Sequence, residues 1–288
     1  MRIVFFGTSE FAVPALESLP RSQDVAGVVT QPDRPAGRGH KLTPTPVKRA
    51  AERLGLPVFT PEKLRPFAAD VRGLAPEAFV VISYGRIVPQ ALLDTVPIAF
   101  NVHPSLLPLY RGATPIQSAI RDGRTETAIT VIAMDAGMDT GDVLVQERAA
   151  IGPDETYGEL HDRLARRSAV LVNDVVEAHA NGSLRRTPQS EVARELGITE
   201  AEIAATLTRP LRREDLVIDW SQPARSIVDH VRSLSPQPAA RTERFGEPIK
   251  VLRAHAEGDR VVLDVVVPPG RGPMAGDVYL RTRRQTAP

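Results

Sequence analysis

The sequence predicts a doubly wound α/β fold with a mostly parallel sheet, followed by a small β-barrel C-terminal domain. Short, nearly all-apolar runs alternate with helical patterns through about residue 150, as a parallel sheet covered on both faces requires. A single glycine turn, Gly7-Thr8-Ser9, leads from the first apolar run into a helical pattern. The last 80 residues or so change character, offering two strand patterns beyond a Pro-rich turn.

In chain order, the strands are expected at Arg2 to Phe6, Asp24 to Thr30, Pro57 to Phe59, Ala78 to Ser83, Ala99 to His103, Thr130 to Met134 and Val143 to Gln146. Helices fall between most of them, for example Phe11 to Leu19 and Pro46 to Leu54. A long helix follows, opened by Thr156 and Glu159 at capping-box spacing, with Leu160, Leu164, Leu171 and Val175 near one face. Asn181 and Gly182 stand where it should close. Residues from Ser183 to Thr208 read as a linker with one short helical pattern, Thr199 to Ala205. Beyond Trp220 a helix is expected with Ser221 as N-cap and Ile227, Val231 and Leu234 as its apolar stripe. Strands at Pro248 to Leu252 and Arg260 to Val267 complete the reading. The resulting division is 1–184, a linker at 185–208, and 209–288.

A chain of 288 residues, 42% hydrophobic and 25% charged, is long enough for one large core or two smaller ones. No run approaches the roughly 18 apolar residues of a membrane span, and the opening stretch is too short for a signal peptide, so a cytoplasmic protein without a membrane partner is expected. The absence of cysteine excludes disulfides, thiolate nucleophiles and cysteine-bound zinc. From Arg209 onward there are 14 Lys and Arg against 10 Asp and Glu, so the C-terminal part is basic although the whole chain carries only +1. Such a surplus suits contact with a nucleic acid backbone.

Gly7 supplies one of the three glycines that a dinucleotide fingerprint needs, which disfavours a nicotinamide enzyme. The segment Asn101-Val102-His103-Pro104 carries more. Side chains alternate along a strand, so Asn101 and His103 point the same way, and Pro104 ends the strand behind them. Ligands of open α/β sheets sit at this edge, where an amide and an imidazole can stabilise charge developing on a carbonyl oxygen. Asp135, Asp139 and Asp142, in a glycine-broken loop, offer a carboxylate to orient the histidine, and spacing leaves the choice among them open.

These residues resemble the folate-dependent formyltransferases. The likeness runs through Phe6 to Phe11, Gln31 to Gly39, Ser83-Tyr84-Gly85, Asn101 to Pro108, Arg111 to Gln117, Met138 to Gly141 and Ile218-Asp219-Trp220. It implies a Rossmann-like formyltransferase domain and an OB-like C-terminal barrel. It also implies 10-formyltetrahydrofolate as co-substrate, no metal, and Asn101, His103 and Asp139 as the catalytic trio. In that reading an amine attacks the formyl carbon, Asn101 and His103 hold the oxyanion, and Asp139 tunes His103 and assists proton removal.

Ser105, Leu106, Leu107 and Pro108, with Ser83, Tyr84, Gly85, Arg86, Ile87, Val88 and Pro89, are implied to form the folate pocket. The stretch Pro35 to Gly39 resembles the insertion of the subgroup that formylates initiator methionyl-tRNA, which implies tRNA contacts at Arg34, Arg38, His40 and Lys41 in a basic loop from Gln31 to Leu42. The chain departs from the family in a shorter C-terminal domain and in Pro210-Leu211, where a lysine and an aliphatic residue are usual. A monomer that binds no DNA is expected. The alternatives are a formyltransferase for a small amine, such as an amino sugar or glycinamide ribonucleotide, and a catalytically silent RNA-binding relative.

Overall fold

A computed structural model describes residues 1–36 and 41–286. The first part forms β1 (Arg2–Gly7), β2 (Asp24–Val29), β3 (Arg34–Ala36), β4 (Lys41–Thr43), β5 (Val58–Phe59), β6 (Ala78–Ile82), β7 (Ile98–His103), β8 (Glu126–Ala133) and β9 (Val143–Ala150). Its seven-stranded sheet has the order β5-β2-β1-β6-β7-β8-β9. Pairings from β5 to β7 are parallel, and β8 runs antiparallel to β7. Phe5 and Phe6 are neighbours on β1 and so face opposite sides, yet both are wholly buried, which explains why the strand is apolar from Ile3 to Phe6. On one face Phe6 packs edge-on against Phe79 at 4.9 Å and Tyr84 at 5.6 Å between ring centres.

The helices are α1 (Val13–Ser18), α2 (Pro46–Arg53), α3 (Leu64–Gly73), α4 (Gln90–Leu93), α5 (Pro115–Arg121), α6 (Tyr157–Ala180), α7 (Gln189–Leu196), α8 (Glu200–Ala205), α9 (Ala224–Leu234) and α10 (Gly276–Thr286). The expected start of α6 is present: Glu159 accepts the main-chain N–H of Thr156 at 2.8 Å, and Thr156 Oγ1 accepts from Glu159 N at 3.4 Å. At its end Gly182 takes φ +72°, and the N–H of Ser183 returns to the carbonyl of Ala178 at 2.9 Å. The expected stripe of Leu160, Leu164, Leu171 and Val175 is buried.

Three readings change. The stretch 183–208 holds two helices rather than one, because α7 repeats its apolar positions only at Val192, Ala193 and Leu196, too few to register as a period. The loop at 31–42 contains an antiparallel hairpin, with Arg34 opposite Thr43 and Pro35 opposite Leu42. Ser221 does not cap α9: its N–H and hydroxyl both bond to Asp219 Oδ1, at 3.0 and 2.7 Å, and the helix starts three residues later behind Pro223.

The C-terminal sheet is four-stranded and antiparallel, with β10 (Ala240–Thr242), β11 (Ile249–Glu257), β12 (Arg260–Val267) and β13 (Met274–Ala275) in chain order. Shifts of register near Arg253 interrupt the β11–β12 ladder. Ile227, Val231 and Leu234 of α9 lie in one apolar cluster with Ile249, Val251 and Val266. The chain divides into two compact units that are not continuous in sequence: residues 113–127 and 149–161 belong with the C-terminal sheet, and Asp162–Leu207 with the large one. Arg232 of α9 shows how 149–161 is held there, donating to the carbonyls of Gly152 at 3.2 Å and Glu155 at 3.1 Å.

Candidate active site

Asn101 and His103 end β7 on one side of the strand, as their spacing requires. The loop between β8 and β9 delivers Asp139 to both. Its Oδ1 accepts from Asn101 Nδ2 at 3.2 Å, while its Oδ2 lies 3.6 Å from His103 Nδ1 and accepts from the N–H of Gly112 at 2.9 Å. Spacing leaves three aspartates open and the family resemblance points to Asp139, which is the one whose carboxylate lies against the pair. Asp135 turns the loop instead, accepting from the N–H of Gly137 at 3.0 Å and from Thr140 Oγ1 at 2.7 Å.

The orientation of the imidazole follows from a second contact. His103 Nε2 sits 2.9 Å from the carbonyl of Tyr110, which can only accept, so Nε2 carries the proton. Nδ1 lies 3.6 Å from Asp139, inside ion-pair range and too far for a hydrogen bond. The His103 ring is 5% exposed, in surroundings where charge–charge effects are stronger than in water. Asn101 spends one of its two N–H donors on Asp139.

Asp139 and Tyr110 hold left-handed backbone conformations, with φ of +56° and +59°, and Ser83 at the end of β6 has φ +46°. Such conformations cost of order 1–2 kcal/mol per residue and persist only where neighbouring contacts hold them. Gly141 closes the loop against β8, where a Cβ would come within 1.8 Å of the Ala133 carbonyl oxygen, so a larger residue has no room.

Ser83 to Pro89 follow β6, the parallel neighbour of β7, so both loops leave the carboxyl edge of the sheet. The Tyr84 carbonyl accepts from Thr8 Oγ1 at 2.8 Å and Gln31 Nε2 at 2.9 Å, and Ser9 Oγ donates to Ser83 Oγ at 2.7 Å. Burial pushes the Tyr84 hydroxyl above its ordinary value. Arg86 is tied to the carbonyls of Pro61 at 3.0 Å and Glu62 at 2.7 Å, Val88 is buried and Pro89 half-buried, while Gly85 is exposed and Ile87 stands 85% exposed.

In the other loop Ser105 is buried with its hydroxyl on the Leu109 carbonyl at 2.7 Å, and Leu107 and Pro108 are buried too. Leu106 is the side chain of that segment left half-exposed. The buried three shape the loop, and Ile87 and Leu106 offer apolar surface.

Of the expected tRNA contacts, Arg34 bonds Gln31 Oε1 at 2.9 Å from the start of the hairpin. Arg38 and His40 lie outside the described residues, and only the backbone of Lys41 is placed, opposite Ala36. The hairpin's base is pinned by Lys48, whose Nζ is 2.8 Å from Asp33 Oδ2.

Sequence reasoning missed Gln189, the first residue of α7. It is 5% exposed, donates to the carbonyls of Asp139 and Gly141, both at 2.8 Å, and accepts from Arg111 Nε at 3.0 Å and Nη2 at 2.7 Å. A glutamine in a polar linker carries no local signal of such a role.

Comparison with known proteins matches residues 1–176 to the family model described as formyl transferase, and residues 210–277 to the formyl transferase C-terminal domain. A methionyl-tRNA formyltransferase of Pelotomaculum thermopropionicum is 44% identical over 88% of this chain and 79% of its own length. One from Moorella thermoacetica is 40% identical over 98% of this chain and 96% of its own. Among solved structures, WlaRD, a sugar 3N-formyl transferase crystallised with dTDP and 5-N-formyl-THF, superposes with a TM-score of 0.66 at 15% identity, covering 96% of this chain and 97% of that one. At that identity the likeness is one of fold.

Proposed function

The chain belongs to the formyl transferase family, and from that premise we propose that it transfers the formyl group of 10-formyltetrahydrofolate to the amino group of initiator methionyl-tRNA. The observation that carries the chemistry is the meeting of Asn101, His103 and Asp139 around one point at the sheet's carboxyl edge. The identity of the amine is supported by the relatives that match nearly the whole chain.

The amine nitrogen attacks the formyl carbon. A C–N bond forms, and the former carbonyl oxygen gains charge that is stabilised by the second N–H of Asn101 and, with the ring in its imidazolium form, by the N–H of His103 Nδ1. Nε2, held on the Tyr110 carbonyl, keeps the ring in place for this. The Asp139 carboxylate assists removal of the amine proton, the bond from the formyl carbon to folate N10 breaks, and N10 takes up a proton as tetrahydrofolate leaves. Ile87 and Leu106 supply apolar contact for the pterin, and the loop backbones supply polar groups for its edge.

Residues 1–184 carry this chemistry, and the basic region 209–288 contacts the tRNA backbone, joined through 185–208. Arg34, Arg38, His40 and Lys41 contact the acceptor end of the tRNA. The reaction belongs to the cytoplasm, and no described helix is long and apolar enough to cross a membrane.

Purified protein mixed with 10-formyltetrahydrofolate and charged initiator tRNA should yield formylmethionyl-tRNA. Absence of that product together with turnover of a free amino sugar overturns the reading in favour of a small-amine formyltransferase.

A further inference from the structure

We propose that Gln189 is a positioning residue for the transfer, acting through Asp139; the inference rests on the catalytic reading of Asp139 given above. A non-glycine residue with φ +56° needs contacts that hold it, and the contacts to the backbone carbonyls of Asp139 and of Gly141, two residues on, come from one side chain. The amide of Gln189 offers two N–H donors, and both are used, one on the carbonyl of Asp139 and one on that of Gly141, each at 2.8 Å. These two carbonyls bracket Thr140, so the amide clasps the turn from both sides. The amide is itself oriented, because its oxygen accepts two N–H groups of Arg111.

Rotation of the Asp139 peptide would carry its carboxylate away from Asn101 and His103, so the clasp sets the position of the reacting group without touching substrate. The same stretch of chain supports the other partner. Thr206, just beyond α8, accepts the N–H of Tyr110 at 3.3 Å, and the carbonyl of Tyr110 accepts from His103 Nε2. Both acidic and basic members of the site are thus held from 189–206, the segment that sequence alone reads as a connector.

The test is a double-substitution cycle on the full chain, with tRNA formylation as the assay. Gln189→Leu removes every polar contact. Gln189→Glu keeps the length and the acceptor for Arg111 while losing both donors, and it carries the test if the leucine variant does not fold. Each should lower kcat about 10-fold or more with the KM for folate and for tRNA within about twofold, the split expected when alignment rather than binding is lost. In an Asp139→Asn background the same changes should add less than about twofold, since they act through the group already removed.

Turnover within about twofold of the parent in both variants, an equal fold-loss in both backgrounds, or a loss confined to KM overturns the proposal. A fully active Asp139→Asn enzyme instead overturns the catalytic reading beneath it, and so the two failures are told apart.

Discussion

Asp139 Oδ1 accepts a hydrogen bond from Asn101 Nδ2 at 3.2 Å although 38 residues separate them, and its other oxygen faces His103 Nδ1 at 3.6 Å. One carboxylate therefore lies against both members of the strand-end pair.

Asn101→Ala and His103→Ala should each cut kcat about 100-fold or more, the usual consequence of losing one donor to a developing oxyanion. Far-UV circular dichroism should show the fold retained in both, although His103→Ala also leaves the buried Tyr110 carbonyl without its donor and should lower the melting temperature. Near-normal turnover in either variant contradicts the role given to it.

Arg38→Ala should raise the KM for tRNA severalfold and leave the folate KM alone. Lys48→Met should act in the same direction, because it releases the base of the hairpin from Asp33. Steady-state kinetics with each substrate varied in turn separates this outcome from a folding defect, which lowers the active fraction equally for both.

Asp229→Ala should destabilise the C-terminal unit by about 3–5 kcal/mol, the range for removing one partner of a buried ion pair. Asp229 and Arg232 are 4% and 5% exposed and meet at 2.6 Å, so the alanine leaves a buried guanidinium without its counter-charge. Urea unfolding followed by tryptophan fluorescence reads this unit, since Trp220, the chain's single tryptophan, is half-buried against its core. An unchanged midpoint would contradict the assignment.

Asp215 contributes stability that depends on acid. The Arg209 guanidinium, and then the main-chain N–H of Arg212, hold its carboxyl at about 2, below the ordinary 3.8. A depressed folded value means that this stability is complete above about 3.8 and disappears as pH falls toward 2. Asp215→Asn should therefore lower the unfolding midpoint by a constant amount from neutral pH down to about 4, and the gap to the parent should narrow below that. A gap that stays constant into the acid range contradicts the pairing with Arg209.

Local pattern carried a large part of this protein. The apolar runs placed all seven strands of the main sheet, the Thr156–Glu159 spacing placed the start of α6, and alternation put Asn101 and His103 on one side of β7. The β3–β4 hairpin escaped because its strands are three residues long and contain a proline.

What the sequence by itself determined was which segments become strands and helices and which residue types stand at the sheet's edge, because backbone propensity and burial periodicity are properties of neighbours along the chain. Tertiary structure alone decided that Gln189 clasps the Asp139 backbone from 50 residues away, and that 113–127 and 149–161 pack with the C-terminal sheet. Those choices depend on how the loops close in space, and a partner brought near by closure leaves no periodic mark on the residues around it.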